Sequence, residues 1–332
     1  MPVLVKIPGK NAYELARNGQ LPEGQFDAED MIFTVNKAGE SVLYFATIGN
    51  KLDKIRGGVS PEQLVRAAAP DGRTALHYAS DCVEQITGDF DADFLLNCKG
   101  TYYCSALHYW VRKGRILQVP GGVTVDQLLT RANNGATALQ FLLESPNYSH
   151  DSTLLTVLGG VTVAHLAGTK IVSEGVVCEG DLLGIAAAKN MLHQIKGGVQ
   201  ASDFSISALH QALRTSTASI PDLSLADLQK KDPRGTSGIN VLIANHRLDQ
   251  YPVLTQEVLA ADISADGETM LHVLAKSRSL HRIARGAFPE FLASTFNRKN
   301  EPVTKFADPN DMLLAEAAYG KRNTQTVPLS FA

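Results

Sequence analysis

One short phrase, returning at nearly constant spacing, constrains this chain more than any other feature. It reads Thr74-Ala75-Leu76-His77, Ser105-Ala106-Leu107-His108, Ser207-Ala208-Leu209-His210 and Thr269-Met270-Leu271-His272. Looser copies are Ser41-Val42-Leu43-Tyr44, Thr137-Ala138-Leu139-Gln140 and Asn240-Val241-Leu242-Ile243. Weaker ones stand at Asn11-Ala12-Tyr13-Glu14 and Asp181-Leu182-Leu183-Gly184. Successive copies are separated by 30, 33, 31, 32, 44, 26, 33 and 29 residues. The steps of 44 and 26 together span 70 residues, so an insertion displaces the middle copy while the period persists. A second phrase alternates with the first, at Gly57-Gly58-Val59, Gly121-Gly122-Val123, Gly159-Gly160-Val161 and Gly197-Gly198-Val199. Self-similarity at such a period marks a repeat architecture. No single unit buries its apolar face alone, and stacked neighbours share a continuous core.

The local chemistry of a unit is readable. Asp71-Gly72 and Asp266-Gly267 are turn dipeptides, with Gly supplying positive φ. Thr74 and Thr269 then suit an N-cap, each hydroxyl accepting from an orphan N–H of the first turn. Leu76 and Ala79 fall on one face of the helix that follows. A second short helix is predicted through Leu52 and Ile55, and through Ile116 and Val119, with the paired glycines ending it. Ser60-Pro61-Glu62-Gln63 and Thr124-Val125-Asp126-Gln127 have capping-box spacing, with Pro61 at a tolerated first helical position. β-Branched alternation is missing over any long run, which disfavours a sheet-based fold.

Gly72-Arg73-Thr74-Ala75-Leu76-His77-Tyr78-Ala79 resembles the ankyrin-repeat signature, with Ala75 where proline is commonest; Gly267-Glu268-Thr269-Met270-Leu271-His272 is a second match. The resemblance covers residues 9–319, is strongest over 36–145 and 262–276, and is degraded between 146 and 262. Gly-Gly-Val with a capped short helix is read as replacing the family's β-hairpin loop. The expected fold is all-α: an ankyrin-like helical-repeat solenoid of about nine or ten divergent units with short loops. The expected organisation is a capping unit at 1–35, well-matched repeats at 36–145, degraded repeats with an insertion at 146–262, a C-terminal repeat and cap at 263–325, and a tail at 326–332. The resemblance implies protein recognition by the concave face and no catalysis. Arrays of this divergent kind are similar to ankyrin-repeat effectors of intracellular bacteria, which implies action on a host protein.

The position after the motif His holds Phe45, Tyr78, Tyr109 and Phe141 in successive units, then Gln211 and Val273. Arg112 and Lys113 lie one turn beyond Tyr109. Aromatics beside cations suit an interface, because such residues carry most interface energy. The alternative is that the rings cover the seam between repeats. Both readings stand at this level, and these six residues are the candidate partner-binding set.

Composition narrows the function classes. Across 332 residues, 31 Lys plus Arg face 34 Asp plus Glu, a formal charge of −3, which argues against a general nucleic-acid binder. Cys82, Cys98, Cys104 and Cys178 follow no metal or disulfide spacing and suit a reducing compartment. No secretory signal opens the chain, and the longest uncharged stretch, 152–169, is broken by Gly, Thr and His. A cytoplasmic monomer is therefore expected, with export into a host cytosol lacking a classical signal as the alternative.

No cofactor or metal is expected. His77, His108, His210 and His272 recur at one repeat position, where a bond to the motif hydroxyl is the better account. Cys104 and His108 are four apart, yet no orienting acid or oxyanion hole accompanies them. The paired glycines lack the Lys-Ser/Thr ending of a phosphate loop. Residues 74–98 are acidic, whereas 270–305 carry Lys276, Arg278, Arg282, Arg285, Arg298, Lys299 and Lys305. The plain account is solvated outer faces; the sharper one is contact with an acidic partner or a phosphoinositide-bearing membrane surface. An enzyme sited in 146–262, or a scaffold for a separate catalytic domain, is the competing class.

Overall fold

The computed structural model describes residues 12–67, 72–100, 104–145, 154–173, 176–215, 220, 222–251, 254–261, 268–283, 287 and 289–323. The turn residues Asp71, Asp266 and Gly267, the cation Arg285 and the tail 326–332 lie outside them. The chain divides into two compact units, Met1–Leu182 with Met191–Gly198, and Leu183–Asn190 with Val199–Ala332. Each is mostly helical.

In the first unit, inner helices run over Ala12–Arg17, Val42–Ile48, Ala75–Tyr78, Ala106–Arg112 and Ala138–Glu144, alternating with outer helices Ala28–Phe33, Pro61–Arg66, Ala92–Asn97, Val125–Leu129 and Val163–Leu166. Consecutive inner helices pack side by side, and the first four outer helices each back an inner one. Ser41, Ser105 and Thr137 cap their inner helices through side-chain oxygens that accept from the residue three ahead. Ser60 with Gln63, and Thr124 with Gln127, form the expected capping boxes at outer helices. Seven-residue helices are too short to be stable alone, so packing decides them. Leu43, Leu76, Leu107 and Leu139 are wholly buried at one register position, each worth about 2 kcal/mol of transfer free energy. Trp110 is 0% exposed, and its indole N–H donates to Leu76 O of the preceding repeat at 2.9 Å.

The predicted second helix is a single 3-10 turn, Leu52–Lys54 or Ile116–Gln118, and the paired glycines follow it at positive φ. The first glycine of each pair (Gly57, Gly121, Gly159, Gly197) faces open space, so only its φ requires Gly. At Gly58, Gly122 and Gly160, though not at Gly198, the second also lies under the next repeat: a Cβ on Gly58 would stand 2.3 Å from Thr87 Cγ2. That approach lets Thr87 N–H donate to Val59 O at 2.8 Å. The same bond joins Leu158 to Val123 and Lys196 to Val161, each a parallel bridge between neighbouring repeats. The glycine pairs therefore make a backbone ladder. They stand in addition to antiparallel bridges at Val35–Ser41, Lys99–Ser105 and Arg131–Thr137, so the expectation that Gly-Gly-Val takes the place of a hairpin is not met.

The 44-residue step contains a longer hairpin, strands β1 (Lys170–Ser173) and β2 (Val176–Asp181), paired antiparallel with a register shift. Composition had given no warning of it. The 26-residue step is short because one 3-10 turn, Ala201–Asp203, stands where an outer helix is expected, with no described hairpin after it.

The second unit repeats the plan with inner helices Ile206–Thr215, Gly238–Ala244 and Met270–Lys276, outer helices Leu225–Gln229, Gln256–Ala261 and Pro289–Ser294, and a terminal helix Pro309–Asn323. Two assignments of the phrase need correction here. The cap of the Gly238–Ala244 helix is Ser237, so the phrase is Ser237-Gly238-Ile239-Asn240, three residues earlier than expected. The Ile206–Thr215 helix starts before Ser207, and Ser205 Oγ accepts from Ala208 N at 3.2 Å. Asn36, Asp232 and Asn297, each five residues before the next unit's start, hold the hairpins by accepting two backbone N–H bonds apiece.

Candidate functional site

The motif histidines are structural. His77 Nε2 contacts Cys104 O at 3.2 Å, His108 Nε2 contacts Thr130 O at 3.1 Å and His272 Nε2 contacts Glu301 O at 2.9 Å. A carbonyl only accepts, so Nε2 carries the proton and Nδ1 accepts. Its donors are the cap hydroxyls: Thr74 to His77 at 3.0 Å, Ser105 to His108 at 2.7 Å, Thr269 to His272 at 2.7 Å. Burial pushes the His108 pKa down to about 4. Both ring nitrogens being committed, and burial raising the Cys104 thiol pKa, Cys104 and His108 are not arranged as nucleophile and base. Among the described residues no three His, Cys, Asp or Glu side chains are placed to hold a metal.

Departures from His follow the partner. At Gln140 the next repeat presents strand β1; the amide donates to Val172 O at 2.7 Å and accepts from Val172 N at 3.0 Å. Neither ring nitrogen of His210 meets a partner at good hydrogen-bond geometry, although the side chain is 3% exposed and the Lys230 backbone and the Asp232 carboxylate lie near it. Its Nδ1 stands 3.7 Å from Asp232 Oδ2, and burial lowers its pKa.

The predicted aromatic positions fall on successive inner helices of the first unit. Phe45, Tyr78, Tyr109 and Phe141 are all half-buried. Tyr13 meets Phe45 edge-on at 6.0 Å, Phe45 meets Tyr44 at 5.5 Å, Tyr44 meets Tyr78 at 5.2 Å and Tyr78 meets Tyr109 at 5.8 Å. Phe141 lies edge-on to His108 at 6.0 Å. The rings therefore both close the seams and leave part of their surface open. Such aromatic pairs add roughly 0.5–1.5 kcal/mol each beyond their buried area. Burial, then the Tyr44 hydroxyl, raises the Tyr78 pKa, so its phenol stays protonated.

Sequence reasoning passed over Arg73. It precedes the cap Thr74, and its guanidinium lies over both the Tyr78 ring (5.4 Å) and the Tyr109 ring (5.6 Å) while donating to Tyr109 Oη. Its signal was faint: a residue just before the cap can reach back over the inner helices, as Glu268 does to Lys276. Arg112 ends the Ala106–Arg112 helix and Lys113 caps it; both are exposed, with no described carboxylate within ion-pair distance.

The C-terminal cations are largely engaged. Lys276 pairs with Glu268, Lys305 with Glu301 and Arg278 with Asp308 (3.7 Å), while Arg282 donates to His246 O. Such interleaving weakens the field that a phosphoinositide surface would need. Among the described residues no helix is long and apolar enough to cross a membrane. Comparison of the sequence with protein-family models and with curated proteins finds no match.

Proposed function

We propose that this chain is a non-catalytic protein-recognition module, an ankyrin-like solenoid that takes its partner on the inner helices and hairpins of the first unit. The observation that carries the reading is the aromatic set Phe45, Tyr78, Tyr109 and Phe141, half-buried at one position of four successive repeats, with ring contacts running from Phe45 through Tyr44 and Tyr78 to Tyr109 and Phe141 packed on His108. A preorganised aromatic surface loses little conformational entropy on binding, and half-exposed rings still have area to bury. Arg112 and Lys113 supply the flanking charge.

The test is affinity capture with the full chain and with a Tyr78→Ala, Tyr109→Ala double variant. Its fold is checked by circular dichroism and by the emission of Trp110, the one tryptophan. A captured protein is then purified and titrated against both. Loss of about tenfold or more in affinity, some 1.4 kcal/mol, supports the row as the contact surface. Equal affinity for two folded proteins refutes it.

A further inference from the structure

Charge in the middle of the first unit is sorted by layer. Between residues 72 and 145, Arg73 stands just before the inner helix Ala75–Tyr78, and Lys99, Arg112, Lys113 and Arg131 lie at bridge positions or at the inner helix Ala106–Arg112. Arg115 is the exception, and Asp81 engages it at 2.8 Å. Over the same span Asp81, Glu84, Asp89, Asp91, Asp93 and Asp126 lie on the 3-10 turns, in the segment before an outer helix, or within one. Glu144 alone crosses to the inner layer, where Gln140 donates to it at 3.0 Å. Balanced overall charge hides this separation.

The inner-layer cations are placed around the aromatic row. Lys99 and Arg131 occupy the same bridge position of successive hairpins, opposite the caps Ser105 and Thr137. Arg112 and Lys113 stand at the other end of the helix that Ser105 opens. A seven-residue helix is about 10 Å long, and neighbouring helices are about 10 Å apart. Tyr109 and Phe141 therefore sit between Lys99 and Arg131 at one end of their helices and Arg112 with Lys113 at the other, Glu144 closing the remaining corner at the end of the Phe141 helix; each side matches about three residues of extended peptide. Lys99, Arg112, Lys113 and Arg131 are exposed and carry no described carboxylate partner.

From this we propose that the inner face around Tyr109 and Phe141 binds an extended acidic peptide segment, its Asp or Glu side chains meeting Lys99, Arg131, Arg112 and Lys113 while an apolar residue covers the rings. The assignment rests on the recognition reading above and adds the chemistry of the partner. Rim charges of this kind set specificity and association rate more than affinity, so binding weakens as salt rises. An acidic ligand is also kept off the outer layer of the same repeats, where Glu84, Asp89, Asp91 and Asp93 repel it.

The experiment uses the full chain and a fluorescein-labelled peptide, Gly-Glu-Glu-Tyr-Glu-Glu-Phe-Glu-Glu-Gly, read by anisotropy at low and physiological salt. Its counterpart has Gln for every Glu. The expected result is salt-sensitive binding of the Glu peptide and about tenfold weaker binding of the Gln peptide. An Arg112→Glu, Lys113→Glu variant loses about tenfold or more, as does Lys99→Glu, Arg131→Glu. The control Arg298→Glu, Lys299→Glu in the second unit stays within about twofold. Equal binding of both peptides overturns the proposal, as do equal losses in the control, or tighter binding of RNA or phosphoinositide vesicles through Arg112 and Lys113. A captured partner that needs Tyr78 and Tyr109 but ignores both charge reversals overturns the acidic assignment alone. A partner indifferent to the tyrosines overturns the recognition reading itself.

Discussion

Replacing Gly58 by Ala tests the backbone ladder, because Gly57 and Gly198 are matched controls. All three have φ between +76° and +78° or close to it, so each Ala variant bears the left-handed penalty of roughly 1–2 kcal/mol, partly offset by a less flexible unfolded chain. At Gly57 and Gly198 a new Cβ meets nothing within 4 Å. At Gly58 it meets Thr87 Cγ2 at 2.3 Å, Oγ1 at 2.9 Å and Cβ at 3.2 Å. Rotating the Thr87 side chain relieves one of these contacts and not the others, so the strand of the next repeat must move. Its bond from Thr87 N to Val59 O, 2.8 Å long, is then compromised. Overpacking at about 1–3 kcal/mol and a backbone bond near 1 kcal/mol put Gly58→Ala about 2–3 kcal/mol beyond the controls. Urea titration followed by Trp110 emission and by circular dichroism measures this, the two probes checking for repeat-by-repeat unfolding. Thr87→Ala in the Gly58→Ala background should recover about 1 kcal/mol or more as a coupling energy. If Gly58→Ala and Gly57→Ala differ by less than about 0.5 kcal/mol, the ladder explanation of the paired glycines is wrong.

Three further outcomes follow from buried polar groups. His108 has a folded pKa of about 4, below its ordinary 6.5; the unfolded chain therefore takes up the proton first. Its contribution is complete above pH 6.5 and is lost as pH falls toward 4, by at most about 3 kcal/mol. A His108→Gln variant should flatten that part of the stability–pH curve, and an unchanged slope would contradict the assignment. Gln140→Leu removes both bonds to Val172 and should cost about 1–3 kcal/mol, with faster hydrogen exchange at the Val172 amide; unchanged protection there would show that β1 is held otherwise. Trp110→Phe removes the 2.9 Å indole bond to Leu76 O, which keeps the Ala79 N–H, and should cost about 0.5–1.5 kcal/mol in thermal unfolding; a neutral result would mean that this inter-repeat bond adds nothing to stability.

The parts of the fold that were legible are those decided within a few residues. Capping boxes at Ser60 and Thr124, Pro61 at the first helical position and the glycine turns after the 3-10 segments depend on local spacing alone. Helix starts with two competent caps were not legible. Ser237 and Asn240 both suit an N-cap, and tertiary fit selects Ser237: a Cβ on Gly238 would stand 3.1 Å from Leu228 O and from the Leu213 side chain. Ser205 and Ser207 compete in the same way. The aromatic positions could be foreseen from their period, but Arg73 could not, since its reach to Tyr78 and Tyr109 depends on how two neighbouring inner helices are set side by side. The sorting of charge by layer was equally hidden, because it becomes visible only once hairpins and outer helices are assigned.

His210 is where these irregularities meet, and it yields a prediction of opposite sign to its homologous positions. In the Thr74, Ser105 and Thr269 repeats the helix begins at the cap whose hydroxyl serves Nδ1, so the imidazole is satisfied at both ends. The Ile206–Thr215 helix begins earlier, on Ser205, which turns Ser207 into a residue of the first turn and leaves His210 without that donor. A buried polar group without partners costs about 1–3 kcal/mol, whereas a satisfied one is neutral or favourable. His210→Leu, measured above pH 7 where the imidazole is uncharged, should therefore be neutral or stabilising by about 1 kcal/mol. His272→Leu deprives Glu301 O and Thr269 Oγ1 of their partner and should cost about 1–3 kcal/mol in the same assay. The contrast holds burial nearly constant, at 3% and 0% exposure, and varies the hydrogen bonds together with the charges of Asp232 and Arg214 that face His210. Equal destabilisation by the two substitutions would mean that packing of the ring, and not its polar partners, is what the repeat retains.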